Sequence, residues 1–329
     1  MKSMTRPVII LASRESGGSY LSALLDAHSE FYGAPQLNVL AFEDLWQLRR
    51  YSRVPRDSHL HGLLRFLGDC LTGEQSVQST YAAMRWMGRR IEDDAEEIYK
   101  ELLALAAPQR LVDYSPLYAQ SRAVMERVLK ACPEAAIIHL VRNPIAQGNA
   151  LSVPVWQTIT ASFGYWAERG RYHPYYDIYE IGEQYIDWST TPAVFDPQFA
   201  WHRTHRAALD LLKDTPADRA MRLQIETLFE APEETLRVIL RWLGADASEA
   251  QVSEMLASAQ APFNTTGSYT APFGVDYEIF RQPLAARYRG SNGQSNPIET
   301  DTPLPWRGDG EGILPEVAAL AGALGYSVA

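Results

Sequence analysis

The amino-acid sequence predicts an α/β protein with a central parallel sheet flanked by helices. The expectation rests on two apolar runs, Pro7-Val-Ile-Ile-Leu-Ala12 and Ala136-Ile-Ile-His-Leu-Val141. Both are continuous and rich in β-branched residues, the pattern of strands covered on both faces. Each passes through a short polar loop into a segment with helical spacing, and such units in series imply parallel pairing.

In the first unit the strand leads into Ser13-Arg-Glu-Ser-Gly-Gly-Ser19, and Tyr20 to His28 follows with Leu21, Leu24 and Leu25 on one helix face. That order puts backbone N–H groups and the positive end of a helix around an anion. Residues from about Val39 to Ala107 read as mostly helical. Leu111-Val112 is a short strand ending in Asp113-Tyr-Ser-Pro116, and Ala119 to Ala131 is an amphipathic helix. The second long strand closes in Arg142-Asn-Pro144 and leads to a helix over Ala146 to Val153. Ser162 to Trp188 is dense in aromatic residues, including Tyr165, Trp166, Tyr172 and Tyr185, and reads as a cap over the core where a substrate pocket is lined. A helix over Phe199 to Leu212, a strand over Met221 to Ile225, a helix from Glu233 to Leu243 stopped by Gly244, and a last helix from Pro315 to Leu324 complete the pattern. With no internal repeat and no break in composition, residues 1–329 are expected to form one domain, with cap elements around 39–107 and 162–200.

Composition narrows the function. A net charge of −10 and a pI near 5.3 lack the basic footprint of a nucleic-acid binder, so no nucleic-acid partner is expected. A small anionic ligand remains compatible, because it needs only a local positive pocket. No run approaches the roughly 18 apolar residues of a membrane span, so no membrane partner is expected and a cytoplasmic location is the default. Cys70 and Cys132 have no CxxC spacing and read as reduced core thiols; no metal site is expected. Oligomeric state is not legible.

The first loop fails both G-x-x-x-x-G-K-[ST] and G-x-G-x-x-G. The chain instead resembles the sulfotransferases that use 3′-phosphoadenosine-5′-phosphosulfate, and most nearly the bacterial, polyketide-associated branch. Pro7 to His28 is similar to the family's 5′-phosphosulfate loop, Ser-x-x-Ser-Gly-x-[ST] between a strand and a leucine-rich helix. Ile137 to Pro144 resembles the 3′-phosphate strand and loop, Leu111 to Pro116 the Asp-Lys-[ST]-Pro turn, and Leu223 to Pro232 the Tyr-Glu-Asp-Leu segment. Leu304-Pro-Trp306 and the last helix resemble the end of the same branch.

The resemblance implies a P-loop-like fold and a nucleotide site made of Ser13, Arg14, Ser16, Gly17, Gly18, Ser19 and Tyr20. N–H groups from Ser16 to Tyr20 would hold the 5′-phosphate, and Arg142 would fork onto the 3′-phosphate. Asn149 or Ser152 would add hydrogen bonds, and Arg287 and Arg289 would close over the nucleotide. A strand-end cap is the competing reading of Arg142. For Arg287 and Arg289 the structural and binding readings stand level.

Several positions depart from the family pattern. Glu15 stands where the loop usually carries a cation, Tyr114 replaces the lysine of the turn, Gln36 and Asn38 occupy Pro-Glu-Leu-His positions, and Ala150 stands where a serine is usual. Sulfuryl transfer needs a base near the acceptor and positive groups on the leaving phosphate. The candidates to supply these are Arg14, Tyr114, Gln36 and His202, although Gln36 cannot take a proton at neutral pH. His139 reads as a buried strand residue. The leading expectation is sulfuryl transfer to a hydroxyl of a small molecule or a carrier-bound acyl chain. A repurposed fold doing another tailoring step without that donor, and a non-catalytic binding protein, remain open alternatives.

Overall fold

The computed structural model describes residues 6–34, 36–51, 60–119, 121–152, 186–187, 189–190, 194–258 and 297–329. Five short strands form a wholly parallel sheet: β1 (Val8–Leu11), β2 (Phe31–Ala34), β3 (Arg110–Asp113), β4 (Ala136–Val141) and β7 (Ala220–Gln224). Their spatial order is β2-β3-β1-β4-β7. A separate antiparallel pair, β5 (Ile186–Asp187) and β6 (Val194–Phe195), completes the strands among the described residues.

The apolar runs become strands because both faces of the sheet are covered. Every residue of β1 and β4 is buried. Successive side chains point to opposite faces. Ile9, Leu11 and Ile137 join one core, with Leu37, Phe66, Ile98 and Met125. Val8, Ile10 and Ile138 join the other, with Leu21, Leu25, Leu236 and Ile239. The first layer holds α2 (Leu45–Tyr51), α3 (His61–Thr72), α4 (Val77–Gly88), α5 (Ala95–Ala106) and α6 (Arg122–Ala131). The described helices between residues 39 and 107 therefore share their core with the sheet. The second layer holds α1 (Gly18–Asp26), α9 (Ile225–Glu230), α10 (Pro232–Leu243) and α11 (Glu249–Ser258). Between them in the chain lie α7, covering 144–152, and α8 (Gln198–Leu212); the last helix is α12 (Pro315–Ala323).

Strand β2, at the edge of the sheet, carries no run long enough to announce itself in the sequence. Gly33 lets it approach α1: a Cβ there would lie 2.6 Å from both the Asp26 Cβ and the Ser22 carbonyl oxygen. Helix α10 is legible in full, with Pro232 opening it, Glu233 and Glu234 in its first turn, and Gly244 ending it at a left-handed φ of 70°. Arg287, Arg289 and most of the aromatic segment 162–188 lie outside the described residues.

The chain leaves β1 toward β2 on one side of the sheet and leaves β4 toward β7 on the other. The gap between β1 and β4 is thus the topological switch point, where open α/β sheets bind ligands beyond the strands' carboxyl ends. Leu11 pairs with His139, which sets the residues after β1 beside Arg142 and Asn143 after β4.

Asp113, at the end of β3, is completely buried and accepts hydrogen bonds from the Ser115 hydroxyl at 2.7 Å and the Tyr118 hydroxyl at 2.9 Å. The Ser115 hydroxyl also receives the Asn38 N–H at 2.9 Å. Burial outweighs these bonds and pushes the carboxyl up to about 6 from an ordinary value of 3.8. The folded state therefore binds this proton more tightly than the unfolded chain, and stability falls as pH rises from about 4 to about 6. Asp113→Asn removes that loss, so the variant gains on the parent chain by up to about 3 kcal/mol between pH 4 and pH 7. Urea midpoints at the two pH values measure it; an equal offset at both contradicts the assignment.

Candidate functional site: the loop after the first strand

The turn from β1 into α1 is held from behind. Among residues 13–15, the Ser13 carbonyl accepts from the Tyr114 hydroxyl at 3.0 Å and from the Ser16 hydroxyl at 2.6 Å. The Arg14 carbonyl accepts from the Gln147 side-chain amide at 2.7 Å, and the same amide reaches the Ser13 hydroxyl. The Glu15 carbonyl accepts from Arg142 Nη1 at 2.6 Å. Three consecutive carbonyls are thus drawn toward the protein by side chains from the β3 turn and from the loop and helix after β4.

Glu15 and Gly17 both take left-handed backbone conformations, φ 59° and 90°. Left-handed residues on either side of Ser16 are the backbone pattern in which successive N–H groups can form an anion-binding concavity. Among the described residues, no group accepts from the N–H groups of Ser16, Gly17, Gly18 or Ser19. The Tyr20 N–H, expected to bind anion, is instead spent on the Gly17 carbonyl at 3.0 Å, and its ring stacks on Phe229 with centroids 5.4 Å apart. The cradle therefore comprises residues 16–19, at the positive end of α1.

Both glycines are required by contact as well as by conformation. A Cβ on Gly17 would lie 2.6 Å from the Ile225 side chain, and one on Gly18 would lie 2.3 Å from the Tyr114 ring. Tyr114, read from sequence as a candidate for the chemistry, is buried with its ring against Gly18 and its hydroxyl on Ser13. It supports the loop.

Arg142 is 3% exposed at the mouth of β4. One arm holds Glu15, and its own carbonyl accepts from the Trp201 indole at 2.9 Å. Behind it, Glu226 accepts from the Asn143 N–H at 2.8 Å and from the Tyr326 hydroxyl at 3.0 Å. Burial raises the Glu226 carboxyl, while Asn143, Tyr326 and the Arg142 charge oppose the rise. The positive guanidinium therefore stands beside the cradle on a frame reaching to the C-terminal segment.

The remaining sequence candidates are dispersed. Arg14 is half-buried in the loop itself. Gln36 is exposed just past β2, two strands from β1 on the same sheet edge. Asn149 is exposed, and the Ser152 hydroxyl is turned onto the Asn149 carbonyl at 2.8 Å. His202 lines a groove of about 430 Å³ with Arg122, Phe199, Arg203, Arg206 and Leu314, and no loop residue lines it. His139 and His205 are buried and paired at 2.9 Å. Burial lowers both, His139 to about 3, so the pair stays neutral and structural. Gln147 and Glu226 were not singled out from the sequence; their positions after the Arg-Asn-Pro turn and after the last parallel strand were the available signal.

The sequence of residues 7–249 matches the model of the sulfotransferase family. The chain belongs to that family. Two solved structures share its fold over nearly the whole length. The sulfotransferase domain from the curacin biosynthetic pathway is 18% identical, with a TM-score of 0.64, covering 98% of this chain and 99% of that one. The sulfotransferase domain from the Synechococcus PCC 7002 olefin synthase is 21% identical, with a TM-score of 0.62, covering 99% and 97%. No curated protein sequence matches the chain. No helix among the described residues is long and apolar enough to cross a membrane, and no group of His, Cys, Asp or Glu among them is arranged to hold a metal ion.

In this sulfotransferase-family chain the Gly18–Tyr114 contact is a direct test of the loop's support. Gly18→Ala alone forces the ring aside and costs about 1–3 kcal/mol. In a Tyr114→Ala background the same substitution costs far less, so a double-mutant cycle in urea shows strong coupling. Additive effects contradict the contact.

Proposed function

We propose that the chain is a sulfotransferase that binds 3′-phosphoadenosine-5′-phosphosulfate at the β1–α1 loop and transfers its sulfuryl group to a hydroxyl. The acceptor class is a small molecule or a carrier-bound acyl chain. The observation that carries this reading is the loop itself, with its carbonyls at 13–15 drawn inward and the N–H groups of 16–19 without hydrogen-bond partners among the described residues. Such an arrangement suits an anion. Family membership supplies the donor class, and the two solved relatives from curacin and olefin biosynthesis support the acceptor class.

The residues present fit the donor's charges. The cradle at residues 16–19 takes the 5′ anion, and preorganised N–H groups stabilise the charge that grows on the leaving phosphate. Arg142 adds a fixed positive charge beside it. Arg14, Gln36 and His202 remain proposals for the cation and acceptor-side roles, and Asn149, Ser152, Arg287 and Arg289 for further contacts to the nucleotide. Glu15 places a carboxylate in the loop. Its backbone carbonyl accepts from Arg142. Glu15→Lys should strengthen donor binding by replacing a repulsive charge with an attractive one.

Calorimetric titration with 3′-phosphoadenosine-5′-phosphate tests the proposal. Micromolar affinity, about −8 kcal/mol, is expected. Arg142→Ala should weaken it by about tenfold or more, since it frees the Glu15 carbonyl and removes the nearby charge. Absence of binding at millimolar nucleotide overturns the donor assignment, and a broad panel of hydroxyl acceptors without sulfate transfer overturns the reaction.

A further inference from the structure

Gln147 is 1% exposed in the first turns of α7. Its Nε2 donates to the Arg14 carbonyl at 2.7 Å and also to the Ser13 hydroxyl oxygen. Its Oε1 is buried and has no hydrogen-bond partner among the described residues. Buried polar atoms are almost always paired, so an amide that leaves one atom unpaired is there for the bonds it does make. An aliphatic side chain of the same size would fill the space with no unpaired oxygen. It would also leave the Arg14 carbonyl and the Ser13 hydroxyl without their donor.

Both partners of Gln147 lie in the loop. The Arg14 carbonyl is the middle one of the three drawn inward, and the outer two are held by Tyr114 and Arg142. The Ser13 oxygen accepts from Gln147, which leaves its own O–H to donate elsewhere. The Trp306 ring packs on the adjacent Gly148 so closely that a Cβ there would lie 2.3 Å from it. Trp306 in turn donates to Asp196 at 3.2 Å. Asp196 also takes Arg307, which pairs with Asp309 at 2.6 Å and with Asp187 at 3.1 Å. The turn of α7 that carries Gln147 is therefore fixed on its far side, and its amide has a defined position from which to hold the loop.

We propose that Gln147 is a positioning residue for the 5′ anion of the donor, clamping the Ser13–Arg14 backbone so that the N–H groups of residues 16–19 converge on that anion. The inference rests on the proposed donor site and assigns within it a residue that touches the loop and not the ligand. It predicts an effect confined to the 5′ end of the nucleotide. A contribution to folding alone has no reason to distinguish one end from the other.

The test compares two probes, 3′-phosphoadenosine-5′-phosphate and adenosine 3′-monophosphate, which lacks the 5′ anion. Both are titrated into the full chain and into Gln147→Met and Gln147→Glu, with thermal unfolding to confirm that each variant is folded. Gln147→Met keeps the volume and should bind the bisphosphate about tenfold more weakly while leaving the monophosphate within about twofold. Gln147→Glu sets a carboxylate against two oxygen acceptors and should lose more on the bisphosphate alone. Unchanged bisphosphate affinity in both variants, or equal losses on both probes, overturns the role of Gln147 while the donor site stands. Failure of the unaltered chain to bind either probe overturns the donor site and this inference together.

Discussion

A loop that binds an anion through its backbone must keep its own carbonyl oxygens out of the way, since each is a partial negative charge. Here the carbonyls of Ser13, Arg14 and Glu15 are taken in turn by Tyr114, Gln147 and Arg142. Each bond is worth only about 1 kcal/mol net. Together they fix which face of the loop is acceptor and which is donor. The left-handed residues at 15 and 17 and the two glycine contacts are the local conditions for the same turn. A non-glycine residue at φ 59° costs about 1 kcal/mol, and that cost persists because the side chains behind the loop determine its path.

Those side chains are placed by the sheet. Parallel pairing of β1 with both β3 and β4 sets the β3 turn on one side of the loop and the β4 turn on the other. Tyr114 arrives from the first, Arg142 and Gln147 from the second. The C-terminal part of the chain then supports the second turn. Trp201 holds the Arg142 carbonyl, Tyr326 and Asn143 share Glu226, and Trp306 packs on Gly148. Residues far apart in the chain thereby converge on one short loop, and a substitution at Tyr326 or Trp306 acts on the site through this frame.

Much of the fold was legible because its signals are local. The unbroken runs at Pro7–Ala12 and Ala136–Val141, and the Pro232 start and Gly244 stop of α10, need only neighbouring residues to be understood. Strand β2 was not, because four residues including Gly33 carry little pattern and the strand exists through its contact with α1. The loop was legible from its serine and glycine spacing as the strand-to-helix turn before α1. The direction of its supports was not. That one arm of Arg142 holds the Glu15 carbonyl has no mark in the sequence. Tyr114 was weighed as a reactive group, and it packs on Gly18. Gln147 offered only its position after the Arg-Asn-Pro turn. Each depends on which strands are adjacent, and a sequence does not display that directly.

The central claim is that the N–H groups of Ser16, Gly17, Gly18 and Ser19 are the anion-binding surface. Amide chemical shifts of these residues, followed by NMR during titration with 3′-phosphoadenosine-5′-phosphate, test it most directly. The account predicts large downfield shifts at those four positions that saturate together, with a much smaller change at Tyr20, whose N–H is already bonded to Gly17. Saturable shifts that spare residues 16–19 and fall elsewhere on the chain would contradict it.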